Sequence, residues 1–105
     1  MRTYRVLITP EAEQSVLDAF QYIDERAPNS AERWLRKLYR RIDTLERMPR
    51  RCALAPESDY FGEELRHLIF ESHRIVFRIE DAAGIVRVLL VVHGKQRNRS
   101  LGEKD

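Results

Sequence analysis

The sequence predicts a single α+β domain of element order β-α-α-β-β-β, and three features carry that prediction. From Leu65 to Arg99, apolar and polar residues alternate in three runs, Leu65–Phe70, Arg74–Glu80 and Ile85–His93. They are separated by Glu71-Ser72-His73 and by Asp81-Ala82-Ala83-Gly84, where Gly84 can take the positive φ that a hairpin loop often needs. Before them, segments from Thr9 to about Glu25 and from Asn29 towards Pro49 place apolar residues at helical spacing. Near the N-terminus Thr3–Thr9 alternates again, with Tyr4, Val6 and Ile8 on one face. Two successive amphipathic helices joined by a short break form a hairpin that buries its stripe on a sheet.

The first strand runs into Thr9-Pro10-Glu11, which has the chemistry of a helix start. Thr9 offers a hydroxyl N-cap, Pro10 suits the first helical position, and the carboxylates lie near the positive end of the helix dipole. Ala12, Val16, Ala19, Phe20 and Ile23 form the buried stripe, and Ala27-Pro28-Asn29 breaks the helix. Asn29 with Glu32 three residues on has the pattern of a capping box. Ala31, Trp34, Leu35, Leu38, Ile42 and Leu45 give the second stripe, which Pro49 ends. Between Pro49 and Gly62 there is no periodicity, and a loop is expected.

In the second run of the meander, Ile75, Phe77 and Ile79 share one face, and Arg74, Val76 and Arg78 the other. In the third, alternation groups Val86, Val88, Leu90 and Val92 against Ile85, Arg87, Leu89, Val91 and His93. One face is then wholly apolar and covered by the helices, and the other carries Arg74, Arg78, Arg87 and His93. The N-terminal strand must join this sheet to pair its backbone groups, and the pattern leaves open which edge it takes.

With 105 residues and 43% hydrophobic content, the chain supports one core. No apolar run approaches membrane-spanning length, and the N-terminus lacks the apolar core of a signal peptide, so a cytoplasmic protein without membrane contact is expected. Cys52 is the only cysteine, and His67 and His73 have no partners at metal-ligand spacing, so neither disulfide, metal nor other cofactor is expected. Charge is unevenly spread. Residues 33–51 hold eight basic and two acidic side chains, whereas the first 32 hold three basic and six acidic. Such a segment is either a solvated helix face or a surface for an anionic partner.

In this order the residues resemble the RelE/ParE superfamily of bacterial type II toxin–antitoxin (plasmid stabilisation) toxins. The resemblance covers nearly the whole chain: YRVLITPEAEQ at the first strand and helix, PNSAERWLRKL and DTLERMPR at the second helix, and ELRHLIFESHRIVFRIED with VVHGKQRN in the meander. It implies one toxin domain over residues 1–105, a small twisted, antiparallel-rich sheet with the helical hairpin on one face, and a basic concave opposite face. A flexible basic tail over 95–105 is expected.

RelE-like and YoeB-like members cleave mRNA in the ribosomal A site, whereas ParE-like members inhibit DNA gyrase. ESHRIVF is similar to the YoeB-like pattern around an active-site arginine. For a nuclease, that similarity would place Arg74 on the scissile phosphate, His93 as general acid and Glu57 as general base. Cleavage by a 2′-hydroxyl needs those three roles. Two departures point the other way. Gly94 follows His93 with no tyrosine after Tyr60, and Glu63 and Glu64 precede Arg66 where RelE-like members carry lysines. The ending HGKQRNR looks more like the ParE-like group. The reading is therefore a ParE-like gyrase inhibitor, with a ribosome-dependent endonuclease as the alternative and a non-toxic binding partner or co-repressor as a third. Arg66, Arg74, Arg78, Lys95, Arg97 and Arg99 are the expected target- or nucleic-acid-binding residues. The resemblance also implies a cognate antitoxin, acidic and partly disordered when free, in a toxin–antitoxin hetero-oligomer.

Overall fold

A computed structural model describes residues 2–94. The elements are β1 (Arg5–Ile8), α1 (Pro10–Arg26), α2 (Pro28–Asp43), a short α3 (Glu57–Phe61), β2 (Arg66–Phe70), β3 (His73–Glu80) and β4 (Ile85–His93). The strands form one sheet in the order β1-β4-β3-β2. The β2–β3 and β3–β4 pairs are antiparallel, and β1 lies parallel to β4, which answers the edge question that the sequence left open.

Helix α1 starts as its sequence dictates, with Thr9 Oγ1 accepting from the Ala12 N–H at 3.1 Å. Helix α2 does not. Its N-cap is Ala27, Pro28 takes the first turn, and no side chain caps it, so the capping box expected at Asn29 is absent. Pro28 arrives with its φ already helical and no N–H to satisfy, which draws the helix start ahead of Asn29. Glu32 instead pairs with Arg36 at 3.2 Å. Helix α2 also stops at Asp43, before Pro49, and two 3-10 turns follow, Thr44–Glu46 and Pro49–Arg51. The stretch expected to be all loop contains α3, which closes on Gly62 in the left-handed region at φ 62°.

The main core lies between the hairpin and the sheet: Ala12, Val16, Trp34, Leu38, Ile42 and Leu45 from the helical side meet Leu68, Phe70, Ile75, Phe77, Val86, Val88 and Val91. A smaller cluster of Ala55, Leu65, Val76, Leu90 and Val92 fills the opposite face under the segment preceding β2. That second cluster corrects the facial assignment of β4. Phe77 pairs with Val88 but Val76 pairs with Leu90, so Leu89 is an extra residue, a β-bulge. Before it Val86 and Val88 face the helices; after it Val91 and His93 do, while Leu90 and Val92 turn to the other side.

The bulge sits where β1 gives way to α1 and β4 loses its strand neighbour. Hydroxyls of the Thr9–Ser15 turn replace the missing ladder: Thr9 Oγ1 donates to the Val88 carbonyl at 3.0 Å, and Ser15 Oγ accepts from the Val91 N–H at 2.9 Å. At the far end of the sheet, Asp81 in the β3–β4 turn accepts from both guanidinium nitrogens of Arg50, from the Tyr4 hydroxyl, and through its backbone carbonyl from Arg2. One carboxylate thus ties the N-terminus and the 3-10 segment to the meander. The Arg50 and Tyr4 hydrogen bonds hold its pKa down at about 2.

Candidate functional site

On the face away from the hairpin, α3 presses onto β3. Glu57, at the start of α3, is fully buried, and Arg74 of β3 is nearly so. Their side chains form a two-bond fork, Nη1 to Oε1 at 3.0 Å and Nη2 to Oε2 at 2.7 Å. Arg74 Nη1 also lies 3.1 Å from His67 Nδ1 on neighbouring β2. Burial, helped by the Arg74 charge, pushes the His67 pKa below the ordinary imidazole value despite Glu57. The Arg74 side chain is therefore part of the interior, contrary to the expected exposed basic face.

The other arginines of this side are engaged too. Arg78 donates to Glu80 at 3.0 Å and to Glu63 at 3.2 Å. Arg87 holds Glu80 through two bonds, at 2.7 and 3.0 Å. These contacts, Arg87 first, hold the Glu80 pKa down at about 2. Arg66 shares the parity of Leu68 and Phe70 and reaches sideways at the sheet edge, donating to the Cys52 carbonyl at 2.6 Å and to Glu64 at 3.0 Å. Cys52 is buried, and desolvation raises its thiol pKa against the pull of Arg51, Arg66 and Arg41, so it is not a poised thiolate.

The three residues grouped by resemblance divide. Arg74 and Glu57 are in direct contact, whereas His93 lies on the hairpin side, its ring 5.7 Å from His73, which in turn lies 5.3 Å from Trp34. The Leu89 bulge makes this separation, because strict alternation would have put His93 on the face of Arg74. Lys95, Arg97 and Arg99 lie outside the described residues.

On the hairpin side, a groove of about 940 Å³ runs between α1, the start of α2 and the ends of β3 and β4. Ala19, Ile23, Trp34 and Val91 supply its apolar lining, and Arg33, Lys37, Asp18 and Glu71 its charges. Arg33, Lys37 and Arg40 recur at helical spacing on the exposed side of α2 and make no ion pair or hydrogen bond among the described residues. Uncommitted positive charge is thus on α2, while the arginines of the opposite face are matched by carboxylates. Register, not spacing, brings His73 to His93, which is why the sequence alone did not pair them.

Comparison with known proteins places this geometry. A family model described as "ParE toxin of type II toxin-antitoxin system, parDE" matches residues 6–98. No curated protein matches the chain in sequence. Among solved structures, the chromosomal ParDE toxin–antitoxin system from P. aeruginosa is similar, with TM-score 0.70 and 14% identity over 87% of this chain and 96% of that one. The toxin–antitoxin complex RelBE2 from Mycobacterium tuberculosis gives 0.63 and 20% over 87% and 98%. The archaeal RelE–RelB complex from Pyrococcus horikoshii OT3 gives 0.54 and 16% over 90% and 99%. At these identities the likeness is one of fold.

Proposed function

Because the chain belongs to the ParE toxin family of type II toxin–antitoxin systems, we propose that it arrests growth by inhibiting DNA gyrase and is neutralised by a cognate antitoxin. The observation that carries this reading is the state of Arg74. A nuclease arginine must meet a phosphate and its developing charge, but Arg74 is buried and forked onto Glu57, the residue that would have to act as base. His93, the corresponding acid, is on the other face of the sheet. Freeing Arg74 would break a buried, two-bond ion pair, at a cost of about 3–5 kcal/mol. Target binding then falls to other cations, and the basic sequence at Lys95, Arg97 and Arg99 is the element that the ParE-like reading makes sensitive.

The toxin–antitoxin complexes among the structural neighbours and the bare Arg33–Lys37–Arg40 stripe support an acidic antitoxin segment as the partner in a hetero-oligomer. The ribosome-dependent endonuclease is the second reading, favoured by the likeness of the fold to the RelBE2 and RelE–RelB complexes. Deleting residues 95–105 separates the two. Growth arrest and gyrase inhibition should be lost together in the deletion, with the fold retained by circular dichroism. Full toxicity in the deleted chain would contradict the proposal, and no arrest from the intact chain would leave the non-toxic co-repressor reading.

A further inference from the structure

His73 and His93 stand directly opposite each other at the joined ends of β3 and β4. The Gly94 N–H donates to the Ser72 carbonyl at 2.6 Å, just outside this pair, so the pair itself is of the non-hydrogen-bonded kind. In such pairs the two side chains approach most closely, with Cβ atoms roughly 4.5–5.5 Å apart. Both rings turn to the hairpin side and line the groove. Their centroids are 5.7 Å apart at an interplanar angle of 66°, and neither ring is hydrogen-bonded among the described residues.

That spacing lies within a small side-chain rotation of shared coordination. Two imidazoles on one tetrahedral ion, each nitrogen at about 2.0–2.1 Å, place their ring centres roughly 5 Å apart. We propose that His73 and His93 form a ligand pair for a divalent transition-metal ion in the wall of the groove. Imidazole pairs select zinc, nickel and copper over calcium and magnesium, which take oxygen ligands. Among the described residues no group of three or more His, Cys, Asp or Glu side chains could hold an ion, so the two imidazoles are the whole protein ligand set there. Water therefore fills the remaining positions, and the site is open towards the groove.

The surroundings suit ligation. Burial, reinforced by His93, pushes the His73 pKa below its ordinary value against the opposing effect of Glu71, and the neutral imidazole is the form that binds metal. Asp18 and Glu71 line the same groove as the cations Arg33 and Lys37. Trp34, the only tryptophan in the chain, packs edge-on against His73 and will report an ion bound there.

The test is a titration of Zn2+ alone into the untagged full chain near neutral pH, followed by calorimetry and by Trp34 fluorescence. One ion per chain is expected, with a saturable fluorescence change and a raised unfolding temperature that a chelator reverses. His93→Asn removes an exposed side chain, should leave the fold intact by circular dichroism, and should abolish binding. His67→Asn, which alters the third histidine on the opposite face, should leave binding unchanged. Absence of saturable binding, or binding that survives both His93→Asn and the His73→Asn/His93→Asn double substitution, would overturn the assignment.

Discussion

Arg74 and Glu57 show how burial changes what a charged residue means. As a strand arginine flanked by alternating apolar residues, Arg74 has the pattern of a surface cation, and only α3 folding across it reveals the buried partner. Arg74→Ala should therefore destabilise the protein by about 3–5 kcal/mol, the cost of breaking a buried ion pair from one side. Denaturant unfolding measures this, and a midpoint shift equivalent to less than 1 kcal/mol would show the pair to be solvated. Glu80 and Asp81 behave differently, being exposed enough for solvent to screen them. Both carboxyl pKa values are depressed to about 2 in the folded protein. Their contribution to stability is thus fully present above the unfolded carboxyl range near pH 4 and is lost as pH falls through about 2. Glu80→Gln should flatten the acid limb of the stability–pH curve between those limits without moving the neutral plateau by more than a small amount.

The helices and strands were largely legible because their signals are local. Thr9-Pro10, the helical stripes and the alternation of β3 each specify structure from a few adjacent residues, and Leu38 is fully buried as its stripe position requires. Leu38→Ala should cost about 2–5 kcal/mol through the cavity it leaves, and an unchanged denaturation midpoint would contradict that burial. The features that were not legible depend on partners distant in sequence. Nothing within IVRVLLVVH marks Leu89 as the bulged residue, because Leu89 is as apolar as its neighbours. The bulge falls where Thr9, the N-cap of α1, and Ser15 within it replace β1 along the β4 edge. Thr9→Ala should cost about 1 kcal/mol as a lost N-cap. It should also loosen the Val88–Val91 segment, visible as faster amide exchange there. Slower or unchanged exchange would mean that the hydroxyl is not what supports the bulge. The start of α2 was misplaced for a smaller reason: Pro28 and Asn29 both signal a helix start, and the one with fixed φ prevailed.

The whole molecule carries two unlike faces around one thin sheet. One is stitched shut by carboxylates paired to Arg74, Arg78 and Arg87, and the other presents a groove beside the unpaired cations of α2. The candidate site was only partly legible from sequence because residue type announced the arginines but not their acidic partners. An acidic partner docking on α2 should associate more slowly as salt rises. Arg33→Glu with Lys37→Glu should lower the antitoxin association rate and flatten its salt dependence, and an unchanged rate would place the interface elsewhere. The proposed inhibition of DNA gyrase, without RNA cleavage, is tested most directly by adding the purified chain in parallel to DNA gyrase on relaxed plasmid and to ribosomes programmed with a defined mRNA. Loss of supercoiling with the mRNA intact is the predicted result, and codon-specific cleavage with supercoiling unaffected would contradict it.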